Sequence, residues 1–222
     1  MKKVFSVLFL CLLIAIVTTG CQLCDCGLLL PNNPSPTPEE YFTFNEETRT
    51  ITGYDNGTGE ISHHGDDIVI PPTINGIPVE HIGNKAFDSG LYTWISSVVF
   101  PDTLTTIGSY AFFASCLHSL TIPDSVISIG SYAFCGNHLT SVTISESIDF
   151  IDDGTFENNP LRSITIGADV DIYNGRSIAY YEQGTPPFYE PKYVGFKSFY
   201  DANGKEAGTY LFTDSDTWIK VE

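Results

Sequence analysis

The chain is 222 residues long and 42% hydrophobic, and it carries 27 acidic against 10 basic residues, a formal net charge of −17. A surplus of that sign repels phosphate backbones and bare anionic lipid, which excludes nucleic acid as a partner and favours basic proteins or cation-decorated surfaces. The same charge also keeps an extracellular protein soluble.

Lys2 and Lys3 open the chain, Val4 to Val17 is almost wholly apolar, and Thr18-Thr19-Gly20 places small residues before Cys21. That order is a secretory signal segment over residues 1–20, and its apolar run is too short for a permanent membrane span. Cys21 after Gly20 resembles the lipobox of bacterial lipoproteins, although Thr18 stands where that family usually has Leu. The resemblance implies lipidation of Cys21 and attachment to a membrane through the lipid. Gln22, in place of the Asp that retains some lipoproteins at the inner membrane, points to the outer surface in a cell with two membranes. Removing the segment takes two lysines and changes the charge from −17 to −19.

Residues 21–40 contain PNNPSPTPEE, an extended Pro-rich stretch that reads as a tether lifting the folded part off the membrane. Cys24-Asp25-Cys26 lacks a second ligand cluster and gives no zinc site. From Tyr41 the pattern turns to short β runs. YFTFN and TRTITGY alternate around Glu46-Glu47 as a hairpin, and Asn75-Gly76 marks a tight turn. Residues 41–69 form an N-terminal β cap, which a solenoid needs to cover its open end.

From Phe100 the sequence repeats every 22 residues: Phe100-PDTLTTIGSYAFFASCLHSLT, Ile122-PDSVISIGSYAFCGNHLTSVT and Ile144-SESIDFIDDGTFENNPLRSIT. An imperfect unit precedes them, with Ile82-Gly83 and Ala86-Phe87 in register and an insertion around Leu91 to Trp94. A fixed period of this size means a solenoid, because no unit can bury its apolar side alone. Leu120, Val142 and Ile164, with Ile122, Ile144 and Ile166, recur two apart and face inward. Between and before them stand Ser119, Ser141 and Ser163, and Thr121, Thr143 and Thr165, facing outward. The reading is one short strand per coil in a parallel sheet, with a hydroxyl wall outside. Ala-Phe is expected to make one helical turn that drops its ring into the core. Ser115, Asn137 and Asn159 are placed to satisfy the backbone at each corner. Cys116 and Cys135 fall at different places around the coil and read as core thiols, without a bridge.

The pattern IPDSV-x-x-IG-x-x-AF-x-x-N-x-L-x-x-V-x-I resembles the BspA-like leucine-rich repeat of bacterial surface proteins over residues 41 to about 166. The resemblance implies a leucine-rich-repeat solenoid, a short β-rich horseshoe over residues 70–166 with β-hairpin caps at both ends. It implies adhesion as the function, including binding to extracellular-matrix proteins. The fourth unit departs from the pattern at Asp152-Asp153-Gly154-Thr155, and after Ile166 the match is lost, though GTYLFTDSDTWIKVE is similar to the C-terminal segment of some members.

Residues 167–222 are rich in aromatics and read as a C-terminal cap. Asn203-Gly204 is a candidate hairpin turn, and GTYLFTDSDTWIKVE reads as two strands around Asp214-Ser215-Asp216.

No catalytic constellation stands out, so no enzyme activity is expected. The five histidines show no metal-protease spacing, and His118 and His138 read as surface residues. Glu146, Asp149, Asp152, Asp153 and Glu157 read as a solvated face rather than a glycosidase pair. Asp169-Val170-Asp171 and Asp214-Ser215-Asp216 lack the rest of a calcium loop. No metal or cofactor is assigned. The expected function is a monomeric, lipid-anchored adhesin of the cell surface that binds a protein ligand, such as a matrix glycoprotein or a neighbouring cell's protein. Its binding residues are Ser119, Thr121, Ser141, Thr143, Ser163 and Thr165, with His118, Thr140 and Arg162 at the edge. The alternatives are a glycan-binding envelope protein using the aromatic C-terminal segment, with Trp218 as its test position, and the acidic coil, or a structural spacer.

Overall fold

The computed structural model describes residues 36–55, 66–88, 95–175, 177–178, 181–183, 189–191, 195–213, 215 and 217–221. Residues 1–20, read as a signal segment, and Cys21, Cys24, Cys26, Trp94, Asp214 and Asp216 lie outside the described residues. The first strands are β1 (Phe42–Asn45), β2 (Thr50–Tyr54), β3 (Asp66–Val69), β4 (Thr73–Ile74), β5 (Ile77–Pro78), β6 (His81–Ile82), β7 (Ile95–Val99), β8 (Thr106–Ile107) and β9 (Ser128–Ile129). They are followed by β10 (Ser141–Thr143), β11 (Phe150–Ile151), β12 (Ser163–Ile166), β13 (Asp171–Ile172), β14 (Tyr181–Gln183) and β15 (Tyr189–Pro191). The chain closes with helix α1 (Phe196–Ala202), β16 (Gly208–Phe212) and β17 (Trp218–Lys220).

The described strands stack coil on coil as a strand-rich solenoid. Its most regular ladder is built by the x-Ile step of each coil. Ile51, Ile82, Ile107 and Ile129 stand in register, each with a more exposed polar neighbour one residue before it, giving the sheet order β1-β2-β6-β8-β9. The alternation of strand side chains turns each isoleucine into the core. β11 and β13 pair the same way through Ile151 and Ile172. The Ser-x-Thr-x segments make the second ladder, in which β10 pairs parallel with β12. Two strands per coil, rather than the expected one, therefore appear wherever both segments pair. The stretch around Ser119 to Thr121 belongs to no strand.

The Ala-Phe segment is not helical. Lys85, Tyr110, Tyr132 and Gly154 take positive φ of 58°, 59°, 58° and 62°, which stops a right-handed helix. The segment folds instead as short turns, in which Ala111 N–H donates to Gly108 O and Phe113 N–H to Tyr110 O. Its other N–H groups reach the next coil: Phe112 to Ala133 O at 2.8 Å and Phe134 to Thr155 O at 2.9 Å. Pairing between coils takes the Tyr110, Phe112 and Phe134 N–H groups that a helix would need internally.

Each turn delivers one ring to the core. Phe87, Phe112, Phe134 and Phe156 stack with centroids 4.6, 5.5 and 5.7 Å apart and ring planes within 15°. Outside them, Tyr110 and Tyr132 stack at 5.1 Å, and the Lys85 ammonium lies 5.7 Å from the Tyr110 ring centre. Coils approach so closely at the x-Ile-Gly step that a Cβ on Gly130 would stand 2.6 Å from the Ser109 nitrogen. That approach explains Gly after Ile in the repeat.

The corners are held by buried amides. Asn137 Oδ1 accepts from Leu117 N–H at 2.9 Å, and its Nδ2 donates to Phe112 O and Phe134 O, both at 2.9 Å. One coil on, Asn159 repeats the pattern with Leu139 N–H, Phe134 O and Phe156 O. Cys116 and Cys135 are buried in the core.

At the N-terminal end β1 and β2 form an antiparallel hairpin, and Asn75-Gly76 turns β4 into β5 with φ of 53° and 75°. At the other end the β16–β17 hairpin adds antiparallel to β12. Asn203-Gly204 does not turn a hairpin. It ends α1, with Gly204 at φ 72° and Lys205 N–H donating to Tyr200 O. Phe196, Tyr200, Tyr210 and Trp218 form one buried aromatic cluster behind the hairpin, and Tyr200 Oη donates to Gly167 O at 2.5 Å.

Candidate functional site

The hydroxyl wall is the outward side of the second ladder. Parallel register sets Ser141 beside Ser163 and Thr143 beside Thr165. β16 then continues both rows, placing Leu211 beside Ser163 and Thr209 beside Thr165, with the two threonine Oγ1 atoms 3.1 Å apart. β17 adds Ile219 beside Leu211. Ser119, Thr121, Ser141 and Thr143 are exposed, while Ser163 and Thr165 are half-covered next to the hairpin. Ser119 and Thr121 precede Ser141 and Thr143 by one 22-residue period without pairing to them. Thr209 and Leu211 escape a reading based on the repeat, because they arrive from outside it. The alternation of GTYLF was the available signal, and it shows a strand without showing its neighbour.

The edge contains a histidine pair. The His118 and His138 rings lie 5.2 Å apart. His118 is exposed, but His138 is half-buried rather than a surface residue, and its Nε2 is buried without a hydrogen-bond partner among the described residues. Burial, and then the neighbouring His118, push the His138 pKa below the usual imidazole range. A group with a depressed folded pKa binds its proton more readily in the unfolded chain. Stability is then complete above the unfolded value and declines as pH falls through it. Melting temperature should drop between about pH 7.5 and 5.5, with a shallower slope in His138→Leu. Equal slopes in thermal melts across that range would remove His138 as the cause.

The five carboxylates of the acidic coil do not form one face. Glu146 and Asp149 are exposed and Asp152 and Asp153 intermediate, whereas Glu157 is buried beside its Gly154 hydrogen bond. Asp153 is tied to Tyr132 Oη at 3.0 Å and Asn174 Nδ2 at 2.7 Å. Among the described residues no group of three His, Cys, Asp or Glu side chains is placed to hold a metal, and no helix is long and apolar enough to cross a membrane.

Trp218 is 5% exposed, with Phe196 and Phe212 rings 4.9 and 5.2 Å from it. It cannot offer a face to a sugar. The Tyr110–Tyr132 stack is no platform either, since Lys85 lies by one outer side and Gly154 against the other.

A family model described as BspA type leucine rich repeat region matches residues 68–183 in six copies. The matched stretch begins inside β3 and runs past Ile166, where the pattern ceases to be legible by eye. The coil there continues through Ile172 and Ile178, both buried. Among solved structures the chain is similar to a leucine rich repeat protein of T. pallidum, at 23% identity over 55% of this chain and 78% of that one, TM-score 0.33. It is also similar to a leucine-rich repeat protein from Bacteroides ovatus, at 21% identity over 57% and 40%, TM-score 0.42. A leucine rich cell surface protein from Faecalibacterium prausnitzii matches at 25% identity over 65% and 47%, TM-score 0.40. The chain thus spans less than half the length of the last two. No curated protein matches it.

Proposed function

The chain belongs to the BspA-type leucine-rich-repeat family, and from that premise we propose that it is an exported, lipid-anchored surface protein that adheres to an extracellular protein. Repeats of this type are typically binding scaffolds. The observation that carries the reading is the in-register hydroxyl wall of Ser141, Ser163, Thr143, Thr165 and Thr209. A broad shallow face of this kind gives many modest hydrogen bonds and no pocket, which suits an extended protein ligand. Ser119 and Thr121 extend the wall by one coil, and His118, Thr140 and Arg162 border it. Cys21 supplies the anchor and residues 22–40 the spacing from the membrane. Several copies on one cell would add avidity to a short wall.

The test is saturable capture by immobilised matrix glycoproteins, run beside a panel of polysaccharides. Ser141→Glu with Ser163→Glu adds two charges to the wall without touching the core, and should weaken capture of the matrix protein at least tenfold. Undiminished capture by that variant removes the wall from the mechanism, and capture of polysaccharide alone replaces the adhesin with a glycan binder.

A further inference from the structure

A second surface lies outside the wall, on the ladder of β11 and β13. Strand alternation puts Phe150 and Asp152 on one side of the first segment, and Asp171 and Tyr173 on the same side of the second. Register pairs Phe150 with Asp171, and Tyr173 N–H donates to Ile151 O at 2.9 Å, which carries Tyr173 alongside Asp152. The four side chains make a checkerboard of two rings and two carboxylates. The rings meet edge to face across its diagonal, with centroids 6.4 Å apart and planes at 81°.

Phe150 is 45% exposed and Tyr173 60%, while Ile127, which holds the register position of Asp149 one coil earlier, is 61% exposed. These three are half of the six large apolar side chains exposed among the described residues. Large rings left half in water at one place, rather than scattered, mark an interaction surface.

The surrounding charge decides what kind of partner. Asp149 and Asp169 are exposed and Asp152 is intermediate, and none of the three has an ion-pair partner among the described residues. Asp171 is paired with Lys205, and Lys197 is taken by Asp201. Carboxylates around an aromatic pair suit a cation, which gains from both the ring faces and the anions.

We propose that the Phe150–Tyr173 surface docks a lysine- or arginine-rich extended segment of a protein partner, its aliphatic stems on the rings and its charged heads at Asp149 and Asp152. The surface is separate from the hydroxyl wall, so a charged substitution on the wall leaves it intact.

The test is a fluorescence-anisotropy titration of the full chain with a labelled arginine-rich peptide, beside a glutamate-rich peptide of equal length. The expected result is saturable binding of the basic peptide alone, weakened at least tenfold in Phe150→Ser with Tyr173→Ser and, separately, in Asp149→Asn with Asp152→Asn. Phe150, Tyr173 and Asp149 are exposed, and Asp152→Asn keeps the Oδ1 that accepts from Asp153 N–H, so melting temperatures should match the parent, and Ser141→Glu with Ser163→Glu should bind the peptide normally. Parent-like affinity in the ring variant would mean that net charge alone attracts the peptide, and the site would fall. Displacement of the peptide by choline chloride where sodium chloride at equal ionic strength has no effect would assign the rings to a small cation and equally overturn the proposal.

Discussion

Phe134→Ala should be among the most destabilising single changes in this protein, costing about 4 kcal/mol, the middle of the range for emptying a buried Phe site. The ring is fully buried and stacked on both sides, against Phe112 at 5.5 Å and Phe156 at 5.7 Å. Truncation forfeits both contacts and leaves a cavity walled by rings that cannot collapse, because each is fixed by its own turn and its hydrogen bonds to the next coil. In a solenoid each coil touches only its neighbours, so a gap in the middle uncouples the two ends. The melting temperature should fall by roughly 10 °C, at about 2–4 °C per kcal/mol for a chain of this size. The unfolding transition should also broaden. Phe134→Leu, which keeps most of the volume, should cost about 1–2 kcal/mol. Urea melts followed by circular dichroism measure both. A loss below about 1 kcal/mol in the Ala variant would mean that the ring stack is not a main source of coil cohesion.

The period was legible because every coil solves the same packing problem with the same residues. Phe112, Phe134 and Phe156 recur at 22-residue spacing, and so do the buried Asn137 and Asn159 amides. The turn conformation was not legible. Nothing in Gly-Ser-Tyr-Ala-Phe obliges the Tyr to be left-handed, yet Tyr110 and Tyr132 both adopt positive φ. The reason is tertiary: the neighbouring coil offers carbonyls to Phe112 and Phe134 N–H groups that a helix would have used internally. The hydroxyl wall was half legible. Its rows follow from alternation, whereas Thr209 and Leu211 come from a segment with no periodic relation to the repeat, and only the β12–β16 register reveals them. The cap reading of the C-terminal aromatics left a sugar-stacking alternative at Trp218 open, since aromatic richness alone does not separate a platform from a core, and its burial decides for the core. The Phe150–Tyr173 surface was hidden for the opposite reason: Phe150 sits where the preceding coil has Ser128, and a single departure inside a repeat looks like drift until its exposure is known.

Asn137→Ala should cost about 3 kcal/mol although it removes only a small polar side chain, because the loss falls on groups that cannot reach water. Oδ1 is the acceptor for Leu117 N–H, and Nδ2 serves Phe112 O and Phe134 O. Phe134 O keeps a second donor in Asn159 Nδ2 at 2.8 Å. The damage therefore concentrates on Leu117 N–H and Phe112 O, which are left unmatched at a buried corner. Asn137→Ser should be milder, since Ser115 occupies the equivalent corner one coil earlier and is buried there. Asn137→Asp separates geometry from charge. It keeps an acceptor for Leu117 but brings a carboxylate into a buried site facing two carbonyls, which raises its pKa. A raised folded pKa means that the folded state binds the extra proton more tightly. The Asp variant should then be weakest at neutral pH and recover toward the Ala variant or better as pH falls through that raised value. Thermal melts of the three variants at neutral and mildly acidic pH give the answer. A flat pH response in Asn137→Asp, relative to the parent, would place the side chain in water and remove the corner amides from the account of how the coils are held in register.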